Sequence, residues 1–128
     1  MPDLLTAQAY LANLNLDYVI KAMCSEHYPL PRWQPIDAER CCRLYKNFLW
    51  LHTKYNNHHL VPTREIDEFW HNHILYTRYY ARDCLAIFGY YLHHEPQDPA
   101  DDPTLLLEQY LQTKQYYFDE FGEDLTPV

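Results

Sequence analysis

Two glycines against nine prolines in 128 residues set the first limit on this chain. Tight hairpins favour Gly at their turns, because a left-handed backbone costs Gly nothing. Pro fixes φ and lacks an N–H, so it stands between helices or in their first turn. No segment sustains the polar–apolar alternation of a half-buried strand. The pattern predicts an all-α fold, a single compact domain of five or six packed helices over residues 1–128.

Prolines and caps divide the chain. Residues 3–24 read as one or two helices, broken near "NLNLD", with Asn15 or Asp17 capping the second. "HYPLPRWQP" is a stiff connector. A long helix is expected at about 36–56, with Ala38, Cys41, Tyr45, Phe48, His52 and Tyr55 on its inner stripe. Thr63 is the expected N-cap of a helix that reaches about Phe88 and kinks around Tyr76–Thr77, where Thr77 caps a second segment. Gly89 is expected to end it. A polar Pro loop, "HHEPQDPADDP", leads to a last helix from Asp102 or Pro103 to Phe121, closed by Gly122.

Charge narrows the partners. The net charge of −8 opposes phosphate backbones, so nucleic acid is not an expected partner. No apolar run approaches the roughly 20 residues of a membrane span, so no membrane is expected either. Four cysteines without a CxxC pair, and no signal peptide, are expected of a cytoplasmic chain with reduced thiols. Thirteen Tyr and three Trp predict an aromatic core whose polar tips need partners.

Seven of the eight His lie between His52 and His94, and the densest chemistry is "DEFWHNHILYTRYYARDC", residues 67–84. Asp67 and His71 are one helical turn apart and share a face. They could ligate one metal together, or the carboxylate could orient the imidazole. Glu68 and His71 form one Glu-x-x-His unit, whereas di-iron bundles use two. His71 and His73 point about 200° apart on a straight helix, so they divide the work. His73 joins the stripe Ile66, Trp70, Thr77, Tyr80, Cys84 and Ile87, the expected core face. His52, inward-facing on the preceding helix, and His93 or His94, just after this one, could complete a ligand set. The plain reading stands beside it: a surface His71–Asp67 pair, a hydrogen-bonded core His52, and Cys84 packed as a small hydrophobe.

The segment "LVPTREIDEFWHNHILYTRYYARDCLAIFGYYLHHEP", with its Trp70-His71-x-His73 run and its Asp83-Cys84 pair, resembles the glycine-rich domain-containing protein-like family. Pro62, Asp67, Tyr80, Phe88 and Gly89 add to the likeness, and His93-His94-x-Pro96 resembles the ending in short members. Tyr76 departs from the Asp or Asn of many relatives, and "QDPADDP" replaces an aromatic-Gly turn. The resemblance implies a fold neighbourhood and residues to watch, not a reaction.

The leading expectation is a helical domain that binds one transition metal ion through His71, with Asp67 as ligand or orienter, and with His93 or His94 and His52 completing the set. Iron, zinc and copper all suit such donors. In an enzyme, an open coordination position would hold water or substrate and Tyr80 would supply a proton. The alternative is a non-catalytic module whose His and Trp are structural and which binds a small molecule or peptide. A third reading is an accessory factor that acts on a peptide through its aromatic surface.

Overall fold

A computed structural model of the protein describes residues 2–95 and 102–125. Among the described residues, six helices and no strand make up the fold, as the Gly and Pro pattern predicts. They are α1 (Leu4–Asn13), α2 (Asp17–Cys24), α3 (Pro35–Lys54), α4 (Arg64–Leu75), α5 (Thr77–Phe88) and α6 (Pro103–Phe121). Residues 96–101 of the Pro loop, including Pro96, lie outside the described residues.

Local chemistry explains most boundaries. Asp3 caps α1 by accepting from the Thr6 N–H, and Thr63 caps α4 by accepting from the Ile66 N–H. Pro35 and Pro103 open α3 and α6, where a missing N–H costs nothing. Gly89 and Gly122 close α5 and α6 at φ +80° and +68°, the left-handed region that favours Gly. Leu16 is the cap residue of α2 and makes no side-chain bond. Asn15 serves from one position earlier, accepting from the Asp17 N–H at 2.8 Å.

The interruption at Tyr76 is complete. Tyr76 leaves helical geometry at φ −86° and ψ 69°, ending α4 and starting α5 without a side-chain cap. Thr77, expected as that cap, is instead the first residue of α5 and is exposed. Because the break lets α5 fold back against α4, the two helices face each other as separate elements.

Helix α3 runs through the middle and packs on α1, α2, α4, α5 and α6. It buries Cys41, Tyr45, Phe48, Leu49 and Leu51 against Ile66, Phe69 and Trp70 of α4 and Tyr80, Ile87 and Phe88 of α5. Full burial of each large apolar side chain contributes roughly 1.5–3 kcal/mol. The connector after α2 is pinned to α4 by one carboxylate: Tyr28 Oη and Trp33 Nε1 both donate to Glu68 Oε2, at 2.5 and 2.6 Å. Helix α6 buries Thr113 and Tyr117, while Leu105, Leu107, Leu111 and Phe118 remain about half exposed.

Candidate functional site

The break at Tyr76 builds the most polar part of the interior. On a straight helix, residues ten apart would be separated by about 15 Å. Here His73 Nε2 donates to Asp83 Oδ2 at 2.9 Å, since an ionised carboxylate can only accept. Nδ1 of the same ring lies 2.7 Å from Tyr45 Oη. Asp83 Oδ1 accepts from Tyr10 Oη at 2.6 Å and from Arg82 Nε at 3.1 Å. The chain Tyr45–His73–Asp83–Tyr10 thus joins α3, α4, α5 and α1. Burial pushes the Asp83 carboxyl up, but hydrogen bonds from His73, Tyr10 and Arg82 outweigh it and hold the group below its ordinary range. Burial raises the Tyr45 phenol well above its usual value, so it keeps its proton.

The order hydroxyl–imidazole–carboxylate matches that of a nucleophilic triad. Both Tyr45 and His73 are wholly buried, however, so no substrate reaches the hydroxyl. In this structure the chain acts as a polar tie between four helices.

A second tie lies beside it. Trp70 Nε1 donates to Tyr80 Oη at 2.9 Å, and Tyr80 donates to the Leu92 carbonyl at 2.6 Å. This fixes the segment after α5 over α4. Tyr80, the expected proton donor, is 1% exposed, and burial raises its phenol further. The anchored segment brings His94 onto the Trp70 indole, with ring centres 4.1 Å apart and planes within 7°. His94 Nε2 then donates to Asp67 Oδ1 at 2.5 Å.

The residues expected to bind metal therefore divide. Asp67 and His94 meet. His52 adjoins them through Trp70, at 5.7 Å between ring centres, and packs edge-on against Phe48. Its Nε2 is buried and has no hydrogen-bond partner. Burial, helped by neighbouring His59 and His94, pushes its pKa down to about 3. His71 is exposed, and no hydrogen bond or ion pair joins it to Asp67. His93 is exposed and leans on Tyr91, 4.9 Å between ring centres. Among the described residues, no three His, Cys, Asp or Glu side chains are grouped as a metal would need.

Sequence reasoning did not find the Asp83 connection. Its signal was the predicted kink near Tyr76–Thr77, which, followed through, removes the straight-helix separation. Tyr10, 73 positions from Asp83, carried no signal at all.

A groove of about 800 Å³ lies between α1, α2 and α5. Tyr10, Tyr18, Asn13, Asn15, Tyr79 and Arg82 line it. The Arg82 guanidinium sits 5.0 Å above the centre of the Tyr79 ring, a favourable cation–π distance. Nη2 of Arg82 is also 3.1 Å from Asp83 Oδ1. The Tyr18 ring lies 4.8 Å from Tyr76 and 5.1 Å from Tyr79.

Fold and site together define a small helical bundle tied internally by two buried polar chains and open to solvent at an aromatic groove. The chain belongs to the UCP032817-like family, whose pattern matches residues 6–114. That match corrects the resemblance to glycine-rich domain-containing proteins. Within this chain, Trp70 and His73 of that run tie the broken helix pair together, Trp70 to Tyr80 and His73 to Asp83. No curated protein and no solved structure matches the chain. Among the described residues, no helix is long and apolar enough to cross a membrane.

Proposed function

We propose that this protein is a non-catalytic binding module that takes a small molecule or a short peptide in the groove between α1, α2 and α5. One observation carries the reading. The groups with reactive potential, Tyr45, His73, Asp83 and Tyr80, are buried and bonded to one another or to backbone, while aromatic side chains and one guanidinium border an open groove. Binding sites typically combine apolar walls with a few placed polar groups. Four free cysteines support a cytoplasmic setting as part of the same proposal.

The test is to map chemical shifts of the whole chain against a fragment and peptide set, then repeat with Ala9→Trp. Ala9 lines the groove and is exposed, so the indole should fill the space without disturbing the core. Shifts should centre on Tyr10, Tyr18, Tyr79 and Arg82 and vanish in the variant at unchanged Tm. Hits that map elsewhere and survive Ala9→Trp would refute the groove as the site.

A metal-binding reading is kept as the second proposal, because Asp67 and His94 already touch and His52, which meets the same Trp70 ring as His94, has a buried Nε2 without a partner. Iron, zinc or copper would suit these donors. Metal analysis of untagged protein checks it: one equivalent, lost in a folded His94→Ala variant, supports it, and sub-stoichiometric metal insensitive to that change rejects it.

A further inference from the structure

Tyr18 lines the groove, and its hydroxyl is sealed from water and without a hydrogen-bond partner. A buried donor left unmade is a standing cost to the fold. Burial pushes its pKa up to about 12, so it is a proton donor lacking an acceptor at neutral pH. Arg82 and Tyr79 line the same groove as Tyr18, and the Tyr79 ring lies 5.1 Å from that of Tyr18. Arg82 spends Nε and one edge of Nη2 on Asp83. The side chain is nonetheless 55% exposed, so the guanidinium presents an edge to the groove it lines. Stacking on Tyr79 holds the guanidinium plane in place.

Resting on the binding-module reading, we propose that the groove recognises a monocarboxylate carried on a flat apolar body. The carboxylate pairs with Arg82 and accepts from the Tyr18 hydroxyl, and the Tyr10 and Tyr79 rings hold the body. The planar guanidinium fits a carboxylate's geometry better than a point cation does. One guanidinium, already shared with Asp83, in a chain of net charge −8, favours one negative charge over the two of a phosphate monoester. The Tyr18 hydroxyl has no exposed surface in this structure. A ligand therefore reaches it by displacing the Tyr79 ring, which packs 5.1 Å from the Tyr18 ring and is about half exposed, while Asp83 keeps Arg82 in place. The carboxylate comes either from a free aromatic acid or from the C-terminus of a peptide.

Calorimetric titrations of the whole chain separate the cases, with 3-phenylpropionate, 3-phenylpropionamide, and the tripeptide Ala-Ala-Phe as acid and as amide. At least one acid should bind, about tenfold or more tighter than its amide. Binding of the tripeptide acid alone identifies a peptide terminus; binding of 3-phenylpropionate identifies a free acid. Tyr18→Phe should weaken acid binding about five- to tenfold while leaving Tm unchanged or higher, because it removes only the unpartnered hydroxyl. A residue serving packing alone would not move affinity and Tm in opposite directions. Arg82→Lys keeps the charge and loses the fork, and should weaken the acid about tenfold even if Arg82→Gln fails to fold. Equal binding of acid and amide, with shifts still in the groove, overturns the carboxylate while the binding module stands. Unchanged acid affinity in Tyr18→Phe overturns the role of that hydroxyl. No shift at the groove with any of the four probes, alongside fragment hits elsewhere, overturns both readings.

Discussion

His73 and His52 enter the same core from neighbouring helices, and their surroundings differ in one respect. His73 has an acceptor on one ring nitrogen and a hydroxyl on the other, at 2.9 and 2.7 Å. His52 has aromatic faces, Phe48 and Trp70, and a buried Nε2 with nothing to bond. The backbone makes the difference. The break at Tyr76 turns α5 back so that Asp83 reaches His73, whereas α3 runs unbroken past His52. One imidazole is a tie between helices; the other is a neutral ring held in place by packing. Trp70 stands between the two environments, giving its N–H to Tyr80 and its ring to His52 and His94.

Removing that shared wall should have the largest effect. Trp70 is 4% exposed, so Trp70→Ala should cost about 3–5 kcal/mol of unfolding free energy in urea titrations. It should also release the segment carrying His94, seen as faster amide exchange over residues 90–95. A loss below about 1 kcal/mol would mean that Trp70 separates nothing.

His73→Ala should come next, at about 2–4 kcal/mol, because it leaves both Tyr45 Oη and one Asp83 oxygen without their partner. Tyr10 and Arg82 still hold the other Asp83 oxygen, so the loss should stop short of unfolding the protein. Equal losses for His73→Ala and His52→Ala would break the contrast between the rings.

His52→Leu should cost little at pH 7, within about 1 kcal/mol, since no bond is lost. The pH dependence is the sharper measurement. In the folded chain His52 titrates near 3, against 6.5 for an unperturbed His. Between those values the unfolded chain binds a proton that the folded chain refuses. The stabilisation is therefore complete above about pH 6.5 and is lost as pH falls toward 3, by up to about 1.4 kcal/mol per pH unit. Wild type should lose stability between pH 6.5 and 4.5 more steeply than His52→Leu. Parallel curves would show that His52 is solvated and that its environment resembles that of His73 after all.

The same contrast shows what the sequence could reveal. Local signals carried the helices: Pro35 and Pro103 at their starts, Thr63 as a cap, Gly89 and Gly122 as stops. Helical phase carried the inward direction of His73, Tyr45 and Trp70, because one turn of α-helix fixes which residues share a face. Partners were another matter. Whether an inward His meets a carboxylate or an indole depends on how helices distant in sequence come together, and phase is silent on that. A straight rod through α4 and α5 would hold Asp83 out of reach of His73, and the Tyr76 break is what brings the two together. The meeting of Asp67 with His94 rather than His71 has the same origin, since it depends on where Leu92 is anchored by Tyr80.

The smallest expected effect belongs to His71, and it tests how far helical phase can be trusted. His71 and His73 are two residues apart on an unbroken stretch of α4, so their side chains leave on nearly opposite sides. His73 is wholly buried and His71 is exposed. With no ion pair to Asp67, which is engaged by His94, His71→Ala should change stability by less than about 0.5 kcal/mol. His94→Ala should cost more, since it removes the stack on Trp70 along with that ion pair. Urea titrations of both variants at pH 7, with metal titrations alongside, make the comparison. A His71→Ala variant that loses as much stability as His94→Ala would place Asp67 in partnership with His71 in solution. A variant that loses one equivalent of bound metal would return His71 to the ligand set that the sequence first suggested.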